Sequence, residues 1–95
     1  MAAYWIAHVT IHDMEQYQHY MALAPQAFEK YQAKFIARGG LALTLEGQHF
    51  ERHVIIEFPD LATAQACYDS DEYKKARAER LNCADVMISI VECLV

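Results

Sequence analysis

The sequence predicts a single α+β domain spanning residues 1–95, in the order strand, helix, strand, strand, helix, strand. Runs of aromatic and β-branched residues open the chain, recur in its middle and close it. Two stretches between them carry helical spacing and helix caps. No linker, repeat or low-complexity segment separates them.

Residues 3–11 read as the first strand. Asp13 then suits an N-cap, and Gln16 three places on completes a capping box. Met14, Tyr17, Met21, Ala24, Phe28 and Tyr31 follow at spacings of 3, 4, 3, 4 and 3, the seam of an amphipathic helix. Pro25 falls inside that seam and predicts a kink or a restart. Helical spacing alone explains the stripe of Met and aromatic residues, so it marks core, not a cofactor box. Phe35 to Arg38 form a short strand stopped by Gly39-Gly40, and Leu41 to Leu45 continue it or begin a further extended segment. Glu46-Gly47 reads as a turn, with a loop over Gln48 to Glu51. Arg52 to Phe58 is a strand ended by Pro59. Asp60 caps the next helix. That helix comes in two pieces, Leu61 to Tyr68 and, after Ser70 recaps it, a run to about Leu81. Asn82 stops it, and Val86 to Glu92 is the last strand.

Strand parity points to a partner. Trp5, Ala7 and Val9 share one face of the first strand with Val54, Ile56 and Phe58 of the middle strand and Val86, Ile88 and Ile90 of the last. This uniformly apolar face should take the helices. Tyr4, Ile6, Ile55, Met87 and Val91 on the other face would leave a large exposed patch. A second copy is the economical cover, because symmetric dimers are the commonest assembly. The expected assembly is therefore a homodimer, with a site in the space where polar residues interrupt the second face.

Composition narrows the function classes. Eight basic against thirteen acidic residues give a net charge of −5, which argues against nucleic acid and anionic membrane. No uncharged apolar run reaches membrane-spanning length, and no secretory signal is legible. Cys67, Cys83 and Cys93 fit neither a disulfide framework nor a zinc motif. A cytoplasmic location with reduced thiols is expected.

The ordered residues resemble a known family. Tyr4-Trp5-Ile6-Ala7, Arg38-Gly39-Gly40, Glu46-Gly47, Ile56-Glu57-Phe58-Pro59, and Tyr68-x-Ser70-x-Glu72-Tyr73 followed by Arg80 and Asp85 are similar to the domain-of-unknown-function family 1330. The resemblance covers nearly the whole chain. It implies a ferredoxin-like βαββαβ fold, with an antiparallel four-stranded sheet, two helices on one face, and pairing into a dimeric α+β barrel. Its wider superfamily includes cofactor-free monooxygenases, lactone isomerases, haem-dependent enzymes and sensing domains, so the fold does not fix a reaction. Gln32 stands where the family commonly has Gly, and His8 where it often has Arg or Gln. The resemblance also singles out Arg80 as a candidate substrate-binding residue and implies an Arg80–Asp85 pair.

The candidate site residues follow. Glu57 lies inside an apolar run on the mixed face, where a carboxylate needs a partner. Arg38 is its expected partner by family position and by parity with Ile36. The pair would serve as an acid–base or anion-anchoring site, or as an ion pair fixing the dimer. His8 and His53 share that face and can act as base, acid or ligand, or as hydrogen-bonded core. No compact spacing supports a metal site, and no cofactor is expected. Tyr68, Ser70 and Tyr73 sit at the helix break, as cap and packing anchors or as a pocket mouth for an anionic group. Three readings stay open. A cofactor-free enzyme would isomerise or oxygenate a small organic acid or enol, with Arg38 holding the anion, Glu57 or His8 moving the proton and Tyr68 donating a hydrogen bond. A binding module would hold a metabolite with the same residues. A structural dimer would bind nothing.

Overall fold

The computed structural model describes residues 1–95. The elements are β1 (Ala3–Ile11), α1 (Met14–Lys30), β2 (Lys34–Arg38), β3 (Arg52–Phe58), α2 (Leu61–Asp69), α3 (Asp71–Arg80) and β4 (Ala84–Glu92). Four strands form one antiparallel sheet in the order β2-β3-β1-β4. The fold is the ferredoxin-like α+β arrangement expected, with its second helix broken in two at Ser70. No helix is long and apolar enough to cross a membrane.

Strand alternation assigns the faces as the parity argument required. Ala3, Trp5, Ala7 and Val9 of β1 and Ile56 and Phe58 of β3 are buried beneath the helices. Trp5 is the centre of this layer. Its ring lies 5.1 Å from Tyr73, 5.3 Å from Phe28, and 5.8 Å from both Phe58 and Tyr68. Such edge and offset contacts add to the area an aromatic cluster removes from water. On the opposite face Ile6 and Ile55 are only partly covered, and Met87 and Val91 are half exposed.

Local chemistry sets the ends. Asp13 and Asp60 accept from the backbone N–H groups of Gln16 and Thr63, capping α1 and α2. Ser70 Oγ accepts from Tyr73 N at 3.1 Å and donates to the Cys67 carbonyl at 2.6 Å, ending one helix and starting the next. Gln32 has φ 61° and Asn82 φ 68°, left-handed positions just past α1 and α3. At such positions a glycine would carry less strain than the residues present.

Several expectations need correction. Helix α1 runs through Pro25 without a restart. Gln16 bonds Glu79 on α3 in place of closing its own capping box. Leu41 to Leu45 form no strand, and Leu41, Leu43 and Leu45 stand 83–102% exposed. Asp85 pairs with His12 at 2.9 Å and not with Arg80.

Two outcomes follow from these caps and thiols. Ser70→Ala should lower unfolding stability by about 1–2 kcal/mol, read from urea midpoints at unchanged slope. Burial pushes the Cys67 thiol up to about 12, and desolvation also raises Cys83. In the native protein, thiol reagents at mildly alkaline pH should label Cys93 first and reach Cys67 only after unfolding. Because the folded pKa of Cys67 is the higher one, its stabilisation is complete below the unfolded thiol's pKa of about 8.5. It is lost as pH rises toward the folded value.

Candidate functional site

The helices and the sheet do not close completely on each other, and the gap between them is where the cations collect. One cavity of about 50 Å³ lies under α1, walled by Trp5, Tyr17, Tyr20, Phe28 and Ile56, with Arg38, Arg52 and Arg80 among its lining residues. A second, of about 290 Å³, lies between α2, α3 and β4. Tyr68, Gln65, Ile88 and Ile90 line it together with Arg77 and Arg80. Arg80 and Trp5 line both.

A β-bulge delivers Arg38 to this side. Phe35 opposes Ile56 and Ala37 opposes Ile55, so Ile36 is the extra residue and parity inverts after it. Arg38 therefore opposes Val54 on the helix-facing side and stacks 4.3 Å over the Phe35 ring. The expected Arg38–Glu57 pair does not form, because the two side chains leave opposite faces of the sheet. Glu57 lies opposite Tyr4 and Lys34 on the open face.

Arg52 opens β3 on the same side as Val54. Its guanidinium rests against Gly39, whose φ is 69°. The positive φ favours glycine here, and a Cβ would stand 2.9 Å from Arg52 Nη1, so any other residue would also push the guanidinium aside. Arg77 donates to Tyr68 Oη at 2.7 Å and lies over its ring.

Arg80 is the most enclosed of the cations, at 8% exposure. It lies 5.4 Å from the Tyr20 ring centroid, and its Nη2 reaches Tyr73 Oη at 3.4 Å. Tyr20 and Tyr73 share a hydroxyl hydrogen bond of 2.9 Å. Arg80 Nε is buried and makes no hydrogen bond. Burial raises the pKa of Tyr20 well above its ordinary value, with the Tyr73 hydroxyl adding to the effect. Burial likewise raises Tyr17, against the nearby Arg52 and Arg80 charges. Both phenols are thus neutral hydrogen-bond donors at ordinary pH.

His8 and His53 meet on the other side of the sheet. They oppose each other directly, with Nδ1 to Nδ1 at 2.8 Å. One ring supplies the N–H and the other the lone pair. Phe50, Met87 and the extended segment around Leu43 and Leu45 surround them. No group of three or more metal-ligating side chains forms.

The expected residues thus fall into two groups. Arg38, Tyr68, Tyr73 and Arg80 gather on the helix side, with Ser70 as the cap that sets Tyr73. His8, His53 and Glu57 occupy the open face. Tyr17, Tyr20 and Arg52 were not among the sequence candidates. Arg52 alone carried a legible signal, a charge in phase with Val54, Ile56 and Phe58.

Solved structures share the fold at low sequence identity. A protein of unknown function from Rhodopseudomonas palustris is 19% identical with a TM-score of 0.80, over 99% of this chain and 83% of that one. A dimeric ferredoxin-like protein of unknown function from Jannaschia is 10% identical with a TM-score of 0.74, over 98% of this chain and 100% of that one. SnoaB, a cofactor-independent oxygenase from Streptomyces nogalater, is 9% identical with a TM-score of 0.68, over 97% of this chain and 92% of that one. No curated protein matches the sequence. The family described as a domain of unknown function, DUF1330, matches residues 2–94, and the chain belongs to that family.

Proposed function

We propose that this domain is a cytoplasmic homodimer that binds a small organic anion in the cleft between its helices and its sheet. One observation carries the reading. The chain has four arginines, and all four line the two helix-side cavities, while none of its thirteen carboxylates does. In a protein of net charge −5, such sorting of charge leaves the counter-ion to a ligand. The only ion pairs are His12–Asp85 and Lys30–Glu72, so no arginine is already neutralised by a carboxylate. Aromatic walls would take the apolar part of the ligand, and a few convergent donors its charge.

The same lining bears on catalysis. No carboxylate, histidine or thiol lines either helix-side cavity. The cleft can stabilise negative charge, through Arg80 and the hydroxyls beside it, but holds no general base. An enzymatic reading is favoured by the likeness to a cofactor-independent oxygenase. It requires a substrate that arrives ionised, such as an acidic enol. Proton transfer by His8 or Glu57 would concern a ligand on the open face, separated from the arginines by the sheet.

The homodimer rests on that open face. Ile36, Met87 and Val91 are 48–51% exposed there, beside the half-buried Tyr4, Ile6 and Ile55. An apolar surface of this kind marks an interface, and a second copy covers it with matching chemistry. The similar Jannaschia protein is itself dimeric.

Ile6→Arg should convert the dimer to a folded monomer in light scattering after gel filtration. A wild-type monomer, or a variant that remains dimeric, would overturn the assembly. In heteronuclear NMR, benzoate should shift the amide signals of Val54, Val86 and Arg80, and benzamide should not. An absence of shifts with every aryl and aliphatic carboxylate tried would remove the binding reading.

A further inference from the structure

Resting on the anion-binding reading, the geometry points to Arg80 as the anchor and to a planar aromatic acid as the ligand. We infer that its carboxylate sits on the Nε side of Arg80 and its ring lies in the groove along β4.

Arg80 is 8% exposed and its Nε has no acceptor. A buried donor left unpaired is destabilising, more so on a charged group. The rest of the guanidinium is already positioned, by the Tyr20 ring and by the Tyr73 hydroxyl. A guanidinium held in this way presents a rigid planar edge, which matches the two oxygens of a carboxylate. A tetrahedral phosphate is served best by donors from several directions, whereas the Nε side of Arg80 offers one planar edge.

The space beside Arg80 selects the rest of the molecule. The groove of about 290 Å³ is larger than the under-helix cavity of about 50 Å³, and Arg80 borders both. A dry cavity of about 150 Å³ accepts benzene, so the groove has room for one or two fused rings. Its walls are the rings of Trp5 and Tyr68 and the aliphatic side chains of Val86, Ile88 and Ile90. They offer flat apolar contact. Gln65 supplies a polar group for a ring substituent.

Calorimetric titration of the dimer with naphthoate, naphthamide and inorganic phosphate tests this. Naphthoate should bind, with naphthamide and phosphate weaker by about tenfold or more, as loss of a charge-assisted hydrogen bond implies. Arg80→Lys keeps the charge but removes Nε, and should weaken naphthoate by a similar factor. Ile90→Trp fills the groove without touching a cation and should block naphthoate, which keeps the test open if Arg80→Lys fails to fold by circular dichroism. Arg52→Gln should change naphthoate affinity by less than about threefold. Binding that survives Arg80→Lys and Ile90→Trp but is lost in Arg52→Gln would overturn the anchor and leave the cleft reading standing. Equal binding of phosphate would overturn the planar acid. No binding of any carboxylate would remove both readings.

Discussion

The two-fold alternation of β1 governs the molecule. This strand pairs with β3 on one side and β4 on the other, so its side chains must serve two environments at once. Trp5 and its even-spaced neighbours hold the helices. Tyr4, Ile6 and His8 point away from them. Each later strand is registered against β1, directly or through β3, and inherits the division. Sliding β1 by one residue would carry Trp5 out of the aromatic cluster and bring His8 beneath α1. The burial of Trp5 against Phe28, Phe58, Tyr68 and Tyr73 makes that slip prohibitive.

That division also sorts the charges. The helix side receives arginines and phenols, and the open side receives the histidine pair and Glu57. Buried arginine without a carboxylate is an unusual way to spend packing energy, since desolvation opposes the charge. Two features make it tolerable here. Tyr20 and Tyr73 offer a ring face and a hydroxyl to Arg80. The exposed Arg38 and the half-buried Arg77 are less desolvated, and lie on the rings of Phe35 and Tyr68, which attract a cation without neutralising it. The cations are thereby held ready while their charge remains unspent.

Much of the fold was legible because its signals are local or periodic. The bounds of β1 and β3, the caps at Asp13, Asp60 and Ser70, and the apolar face all follow from short-range chemistry in the sequence. The site was less legible for a specific reason. Parity predicts a side chain's face only while the strand is regular, and the bulge at Ile36 inverted it for Arg38. The Arg38–Glu57 pair failed on that one residue. Arg80 could be singled out only by family resemblance, because its helix carries Lys74, Lys75, Arg77 and Glu79 as well. Which of these charges turns inward depends on how α3 lies against α1, a tertiary property. The Tyr20–Tyr73 hydrogen bond joins residues 53 apart in sequence and left no pattern to read.

Separation of the arginines from the histidines also constrains what any chemistry in this fold can be. A proton-abstracting enzyme needs its base within hydrogen-bond reach of the bound substrate. Here the sheet itself stands between the groups that attract an anion and those that could take a proton. Evolution of catalysis in the helix-side cleft would therefore favour substrates that are acidic on their own, for which charge stabilisation suffices. A ligand held only for recognition needs even less, namely fixed donors and a dry wall. Both demands are met by the same residues. On the proposed reading, what would divide binder from enzyme is thus the acidity of the ligand itself, which the surroundings of Arg80 would select.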